Sequence, residues 1–389
     1  MLLFATTPIS ATSPSAPEPT ADFGPFGELF RLQRLVEDQN ACALPGCVFK
    51  YDNFMSCLHR AWSKGLVRTA VRDYVACGMT NGFTLGAQGD LLEGQGQQIY
   101  RNYKSAYEGR DSVSDAVYAR LDKGRSLHIG TWSECYPYLR RLFTSFKIFP
   151  LGAVPKPHDP LVLRPVSDHR KSGFNRCTTL GILQHSLNVE KDVAWFLEQG
   201  FFMYVADVED AFTLIPLCPW LWPYFFFRWY STRDAIVEDV FVNLFGDFGT
   251  MGMPGTFKIV FVDCIVQMAR AAMILTLPMT VFVDDVASMG GDSFALDVEM
   301  AVFMAWCTLV IGVTWKLNKV RRAANPQLYI GFWWDSRTFT LTLDEEKLVR
   351  YLDVLQAAGE SRTLDLRDRQ RLAGITAWRD ERYAPVALV

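Results

Sequence analysis

Two apolar runs that each end in aspartate constrain this chain more than any other feature. Residues 201–206, Phe-Phe-Met-Tyr-Val-Ala, run without a break into Asp207, and residues 279–283, broken only by Thr280, run into Asp284 and Asp285. A short apolar run bounded in this way reads as a strand buried on both faces. Such a strand does not end in an unpaired carboxylate without compensation, because an uncompensated buried charge is costly. If the two strand ends lie side by side, three carboxylates converge. That is tolerable with shared protons or with a cation, and oxygen ligands favour Mg²⁺ or Mn²⁺. Two such ions, about 3.5–4 Å apart, would stabilise the attacking and leaving oxygens of an in-line phosphoryl displacement. Asp-Asp is equally at home in an ordinary turn, so the pair alone leaves both readings open.

Half of the 389 residues are hydrophobic and 14% are aromatic, enough to bury a sizeable core. The formal net charge of −3 argues mildly against a nucleic-acid binder, but its distribution is uneven. Residues 101–176 hold 14 Lys/Arg against 7 Asp/Glu, and residues 316–322 hold four basic residues and no acid. Phosphates respond to such patches, although a solvated surface accounts for them equally well. The nine cysteines are scattered without a CxxC, and Cys42, Cys47, Cys57 and His59 fit no common zinc spacing. Reduced thiols in an intracellular protein are the expectation. The first residues have neither the basic start of a secretory signal nor the Arg of a mitochondrial leader. No stretch reaches 18 uninterrupted apolar residues. The nearest, residues 271–283, contains Pro278 and runs into the two aspartates, which argues against a membrane span.

Residues 1–25 read as a disordered tail rich in Thr, Ser, Pro and Ala. Residues 26–145 read as a helical region in which the Gly-rich residues 82–97 form a loop. Residues 148–154 and 161–166 read as a strand, turn and strand, and residues 224–230 as an aromatic strand. Residues 254–272 read as a helix with Pro in its first turn, one face carrying Phe257, Phe261, Ile265 and Met268. Residues 279–284 and 286–289 read as two strands meeting at the aspartates, residues 294–311 as a helix, and residues 327–343 as a hairpin turning at Asp335–Arg337. Helix follows from Asp344. The whole is an α+β pattern with a helical C-terminal part.

The order of segments around the acids resembles the reverse-transcriptase family over roughly residues 148–350. Val154-Pro-Lys-Pro-His-Asp-Pro-Leu-Val-Leu-Arg-Pro-Val-Ser-Asp-His-Arg170, followed by Asn175, resembles the family's fingers hairpin. Tyr204-Val-Ala-Asp-Val-Glu-Asp-Ala-Phe-Thr-Leu-Ile-Pro216 resembles motif A, and Phe245-Gly-Asp-Phe-Gly-Thr-Met-Gly-Met-Pro-Gly-Thr-Phe257 is similar to motif B. Val281-Phe-Val-Asp-Asp285 is similar to motif C, Gly312-Val-Thr-Trp-Lys-Leu-Asn-Lys319 to motif D, and Leu328-Tyr-Ile-Gly-Phe332 to motif E, the primer grip. Each is weak singly; six in the family's order are not. The texture of residues 344–348 and 364–374 is nearest to DIRS-like and pararetroviral members.

The resemblance implies a polymerase right hand: fingers and palm over residues 146–343, with an antiparallel palm sheet and packed helices, and a helical thumb over residues 344–389. It implies an RNA-directed DNA polymerase of a retroelement, which transfers a nucleotide from dNTP to a primer 3′-hydroxyl on an RNA or DNA template. It needs no membrane. Asp207, Asp284 and Asp285 would be the catalytic, metal-holding carboxylates for two Mg²⁺ or Mn²⁺ ions. Lys156 and Arg164 would grip the triphosphate, and Phe212 would be a steric gate that favours deoxynucleotides. Lys319 would donate a proton to pyrophosphate or bind phosphate. Tyr329, Gly331 and Phe332 would form the primer grip. Gly255 stands at the nucleotide-binding position where the family usually has Gln. No ribonuclease H signature follows these motifs. A nucleic-acid-binding remnant without catalysis, an RNA-dependent RNA polymerase and a palm-type nucleotide cyclase are the competing readings. Phe212 argues against the RNA polymerase, and the basic hairpin against the cyclase.

Overall fold

The computed structural model describes residues 22–156, 159–184, 189–360 and 369. The Thr/Ser/Pro-rich segment up to residue 21, the hairpin tip at 157–158 and the thumb-like motif at 364–374, residue 369 apart, lie outside these.

The N-terminal region is mainly helical, with helices at Gly27–Asp38, Tyr51–Ser63, Thr69–Asn81, Arg110–Asp122 and Trp132–Leu142. It also supplies two strands that its helical periodicity hides, β1 (Gln97–Ile99) and β2 (Ser126–Thr131). The Gly-rich stretch is not all loop: it holds a short helix, Gly89–Glu93, and runs into β1. Next come β3 (Phe146–Ile148) and the hairpin β4 (Leu151–Lys156) and β5 (Asp159–Ser167), with Val154 opposite Arg164. After them come β6 (Phe202–Asp207), β7 (Phe226–Tyr230) and β8 (Glu238–Asn243). The aromatic stretch is strand only from Phe226; Pro219 and Pro223 hold Pro219–Tyr224 in a 3₁₀ helix instead.

β1, β3, β7, β8 and β2 form one five-stranded sheet in that order. The pairings β1–β3 and β3–β7 are parallel, and β7–β8 and β2–β8 antiparallel. The N-terminal region and the segment after Phe146 therefore share a sheet. They share a core as well, since one apolar cluster runs from Phe26 to Trp315.

β9 (Met279–Phe282), β10 (Asp285–Gly290) and β11 (Arg321–Ala324) join β6 in the antiparallel sheet β11-β6-β10-β9. Alternation explains its apolar runs. On β6, Tyr204 and Ala206 enter the main core, while Met203 and Val205 enter a second cluster with Val193, Ala287, Met289, Tyr329, Phe332 and Trp334. Both faces of β6 are covered, so a polar side chain buried in this sheet is costly without a partner. Ser288, fully buried on β10, donates to the Pro278 carbonyl at 2.9 Å.

Residues 253–271 are helical but apolar nearly all round, with a π-helical middle at Ile259–Val266. Ser293–Ile311 is the one helix among the described residues that is long and apolar enough to cross a membrane by length and composition. It packs one face on β6, β10 and β11, while Phe294, Val298, Val302 and Leu309 are exposed. Residues 327–343 are three strands rather than a single hairpin: β12 (Gln327–Tyr329), β13 (Phe332–Asp335) and β14 (Thr340–Leu343). The extra turn lies at Ile330 and Gly331, both at positive φ, inside a run whose apolar alternation hides it. Helix Glu345–Glu360 follows.

Candidate active site

The register of the four-stranded sheet brings the acids together. Asp207 on β6 lies directly opposite Asp285 on β10, and Asp284 sits in the turn between β9 and β10. The Val208 N–H donates to the Asp284 carbonyl at 2.9 Å, which ties that turn to the end of β6. Val283, the other turn residue, has φ +58°. A β-branched residue in the left-handed region is an outlier that costs about 1–3 kcal/mol. The turn keeps it where Gly or Asn would be unstrained.

Asp207 is almost fully buried. Lys316 Nζ lies 2.8 Å from its Oδ1 and 3.9 Å from Asp284 Oδ2, and Lys319 donates to its Oδ2. Backbone pairing puts these lysines there. Lys316 N donates to the Asp207 carbonyl and Glu209 N to the Thr314 carbonyl, both at 2.9 Å. Of the two, only Lys319 is expected at the site from the sequence; for Lys316 the available signal is the run of four basic residues at 316–322.

The charges do not balance. Burial, then the charges of Asp284 and Asp207, push Asp285 up to about 7. Burial and Asp207 also raise Asp284, against the pull of Lys316. Burial opposes the charge on Lys316, but its contact with Asp207 outweighs this and raises it. Among the described residues, no three His, Cys, Asp or Glu side chains are already set as metal ligands, and this covers both the acids and the Cys42/Cys47/Cys57/His59 group. The donor chemistry nevertheless suits a divalent cation. Asp207 and Asp285 face each other across the strand ends with Asp284 beside them, and repelling carboxylates with raised values are what a cation relieves.

A second acidic group flanks the first. Asp210, at φ +57°, is held by Lys123 and by Arg125 (2.7 Å), both from the N-terminal region. Burial opposes its charge, but these two cations hold its carboxyl below the usual range. Arg125 also donates to Thr213 Oγ1 at 2.8 Å, which fixes the turn that carries Phe212. Nothing in the sequence order links residues 123 and 125 to 210; the contact is tertiary.

The remaining expected residues divide between exposed and buried. Arg164 is exposed on β5, and the Lys156 backbone pairs with Asp159 near the hairpin tip. Phe212 is buried at 6% exposure. Gly255 has a packing reason: a Cβ there would collide with the Leu183 carbonyl oxygen, so no side chain, Gln included, fits. Tyr329 is buried, and its hydroxyl donates to the Asp285 carbonyl at 3.1 Å. Phe332 is buried beside it. Gly331, at φ +81°, makes the turn against Lys347, whose ammonium donates to the Ile330 carbonyl at 3.1 Å and lies 4.7 Å from the Phe332 ring centre. The exposed rings of this meander are Trp333 and Phe339.

No protein-family model matches this chain, and no curated protein sequence matches it. Solved structures do. The foamy viral protease-reverse transcriptase dRH in complex with double-stranded DNA is 18% identical with a TM-score of 0.52, over 72% of this chain and 42% of that one. The foamy viral protease-reverse transcriptase in complex with an RNA/DNA hybrid is 17% identical with a TM-score of 0.50, over 72% of this chain and 32% of that one. The chain thus spans less than half the length of either. The likeness is one of fold: an α+β, reverse-transcriptase-like polymerase fold.

Proposed function

We propose that this chain is an RNA-directed DNA polymerase of a retroelement, adding nucleotides from dNTP to a primer 3′-hydroxyl on an RNA or DNA template. The observation that carries the reading is the pairing of Asp207 with Asp285, with Asp284 beside them, at the end of the central sheet of a polymerase-like fold. The carboxylates of Asp207, Asp284 and Asp285 would hold two Mg²⁺ or Mn²⁺ ions. Bound there, the ions would supply counter-charge to the attacking and leaving oxygens. Lys316 and Lys319 neutralise Asp207 and bring two ammonium groups to the site. Lys319, the more exposed, donates a proton to departing pyrophosphate or binds it. Arg164 and Lys156 supply cations to the triphosphate from the hairpin, and the basic stretch 101–176 tracks template phosphates. The meander of Tyr329, Gly331 and Phe332 supports the primer end.

The test is primer extension with Mg²⁺ and with Mn²⁺ on RNA and DNA templates. The wild type extends, and Asp284→Asn loses at least about a thousandfold in rate, roughly 4 kcal/mol of barrier. Equal behaviour of the two proteins would sink the reading. A second reading, a nucleic-acid-binding remnant without turnover, draws on the two lysines already seated on Asp207. Steeply salt-dependent binding with no extension selects it.

A further inference from the structure

We propose that the exposed face of the helix Ser293–Ile311 is an interface between two copies of this chain, paired antiparallel about a twofold axis beside Ala301 and Val302. The proposal does not depend on the polymerase reading. A surface helix ordinarily turns charge to the water, and Gly27–Asp38 does so with Glu28, Arg31, Arg34, Glu37 and Asp38. Ser293–Ile311 does not. No exposed position between Phe294 and Leu309 carries a polar or charged side chain. Phe294 is 76% exposed and Leu309 69%, with Val298 and Val302 about half exposed between them. Single exposed apolar residues need no explanation; an unbroken apolar row is what a contact surface presents.

The acids that flank the row are already engaged within the molecule. Asp297 accepts from Arg322 Nε at 2.9 Å and from Ala323 N at 2.8 Å. Glu299 accepts from Thr276 N at 2.9 Å and from Leu277 N at 2.8 Å. The face therefore enters an interface without an unpaired charge to desolvate.

A second copy fits because the row matches itself when reversed. Phe294 and Leu309 lie about 22 Å apart along the helix. With the twofold axis midway, Phe294 of one copy meets Leu309 of the other, and Val298 meets Ala305. The small Ala301 and Ala305 let the helices approach near the crossing, while the larger side chains close both ends. The ends also carry opposite charge. At the N-terminal end, exposed Asp292 caps the helix by accepting from Ala295 N at 2.9 Å. At the C-terminal end, the ammonium of exposed Lys50 donates to the Leu309 carbonyl at 2.6 Å. Reversed pairing brings each Asp292 toward a Lys50 and opposes the helix dipoles favourably; parallel pairing sets like against like. An anionic lipid surface lacks this polarity, since it attracts the Lys50 end and repels the Asp292 end. One helix pair buries less than the about 800 Å² per partner of a standard interface, so the dimer is weak, with a Kd in the micromolar range.

The test is sedimentation equilibrium of the full chain across micromolar concentrations. Wild type passes from monomer to dimer. Ala305→Glu and Val302→Lys each set an unpaired charge in the middle of the face and weaken dimerisation at least about a hundredfold. Both positions are exposed, so both variants keep the wild-type melting temperature when dilute. Orientation is read with a short bismaleimide: a mixture of Phe294→Cys and Leu309→Cys crosslinks above the level of either variant alone. Phe294→Cys joined chiefly to itself would overturn the antiparallel pairing. A wild type still monomeric at about 100 µM, where so weak a pair forms, overturns the proposal, and so does a dimer that survives both charges. If that monomer floats with anionic vesicles and Ala305→Glu does not, the face belongs to a lipid surface instead. Failure of primer extension leaves all of these readings untouched.

Discussion

Two buried clusters of charge lie in this molecule, and they are built in opposite senses. Around Asp247, a single carboxylate meets Arg120 at 2.9 Å, Asn243 at 3.0 Å and the His169 ring at 3.6 Å. Burial opposes its charge, yet Arg120 and His169 hold it down at about 2. Around Asp285, three carboxylates crowd one sheet end, the lysines engage chiefly Asp207, and Asp285 is pushed up to about 7. The first cluster is matched and therefore structural. The second is mismatched: its acids repel one another and lack matching counter-charge.

The largest test of this contrast is mutational. Asp247→Ala leaves Arg120 buried without its counter-charge and lowers unfolding free energy by about 3–5 kcal/mol. Asp285→Asn removes a repelling buried charge and leaves stability unchanged or higher. Guanidinium denaturation of both variants measures this, and equal losses would dissolve the distinction. Next in size is the pH dependence. The Asp247 carboxyl lies at about 2 against an ordinary 3.8, so its contribution of about 2 kcal/mol is full above pH 4 and disappears as pH falls toward 2. Asp285 has the other sign: raised from 3.8 to about 7, it makes the metal-free protein lose stability as pH rises through that interval. Stability measured against pH separates the two limbs, Asp247→Asn flattening the acid one and Asp285→Asn the neutral one. The smallest effect concerns the support beneath the second cluster. Tyr329→Phe removes the hydroxyl bond to the Asp285 carbonyl and costs about 1 kcal/mol. A variant as stable as wild type but weaker in primer binding would show instead that Tyr329 acts on the primer.

The Asp207 strand was legible in the sequence because both faces of β6 are covered, so burial wrote itself as an unbroken apolar run with a carboxylate at its end; β9, at the sheet edge, is only half-buried, and its run is interrupted by Thr280. The hairpin and the helices at 253–271 and 293–311 were legible for similar reasons of period and punctuation. What stayed hidden was tertiary. The partners of Asp210 and Asp247, namely Lys123, Arg125 and Arg120, stand 85 to 127 residues away from them, and no local pattern announces such pairings. Gly255 looked like a lost polar contact, but the Leu183 carbonyl that excludes a side chain there is visible only in three dimensions. Phe212 and Phe248 are alike as letters, and only packing shows that the first ring is buried and the second exposed.

The five-stranded sheet has a consequence for how the chain is made. Ser126 on β2 bonds to Asn243 on β8 across 117 residues. At roughly 5–20 residues per second of synthesis, β2 waits about 6–25 s after leaving the ribosome before its partner exists. Contacts this distant in sequence also close slowly. During that interval the helices of residues 26–145 carry an apolar face without the strands that will cover it. That makes the nascent N-terminal region, and not the finished fold, the part of this protein most in need of a chaperone.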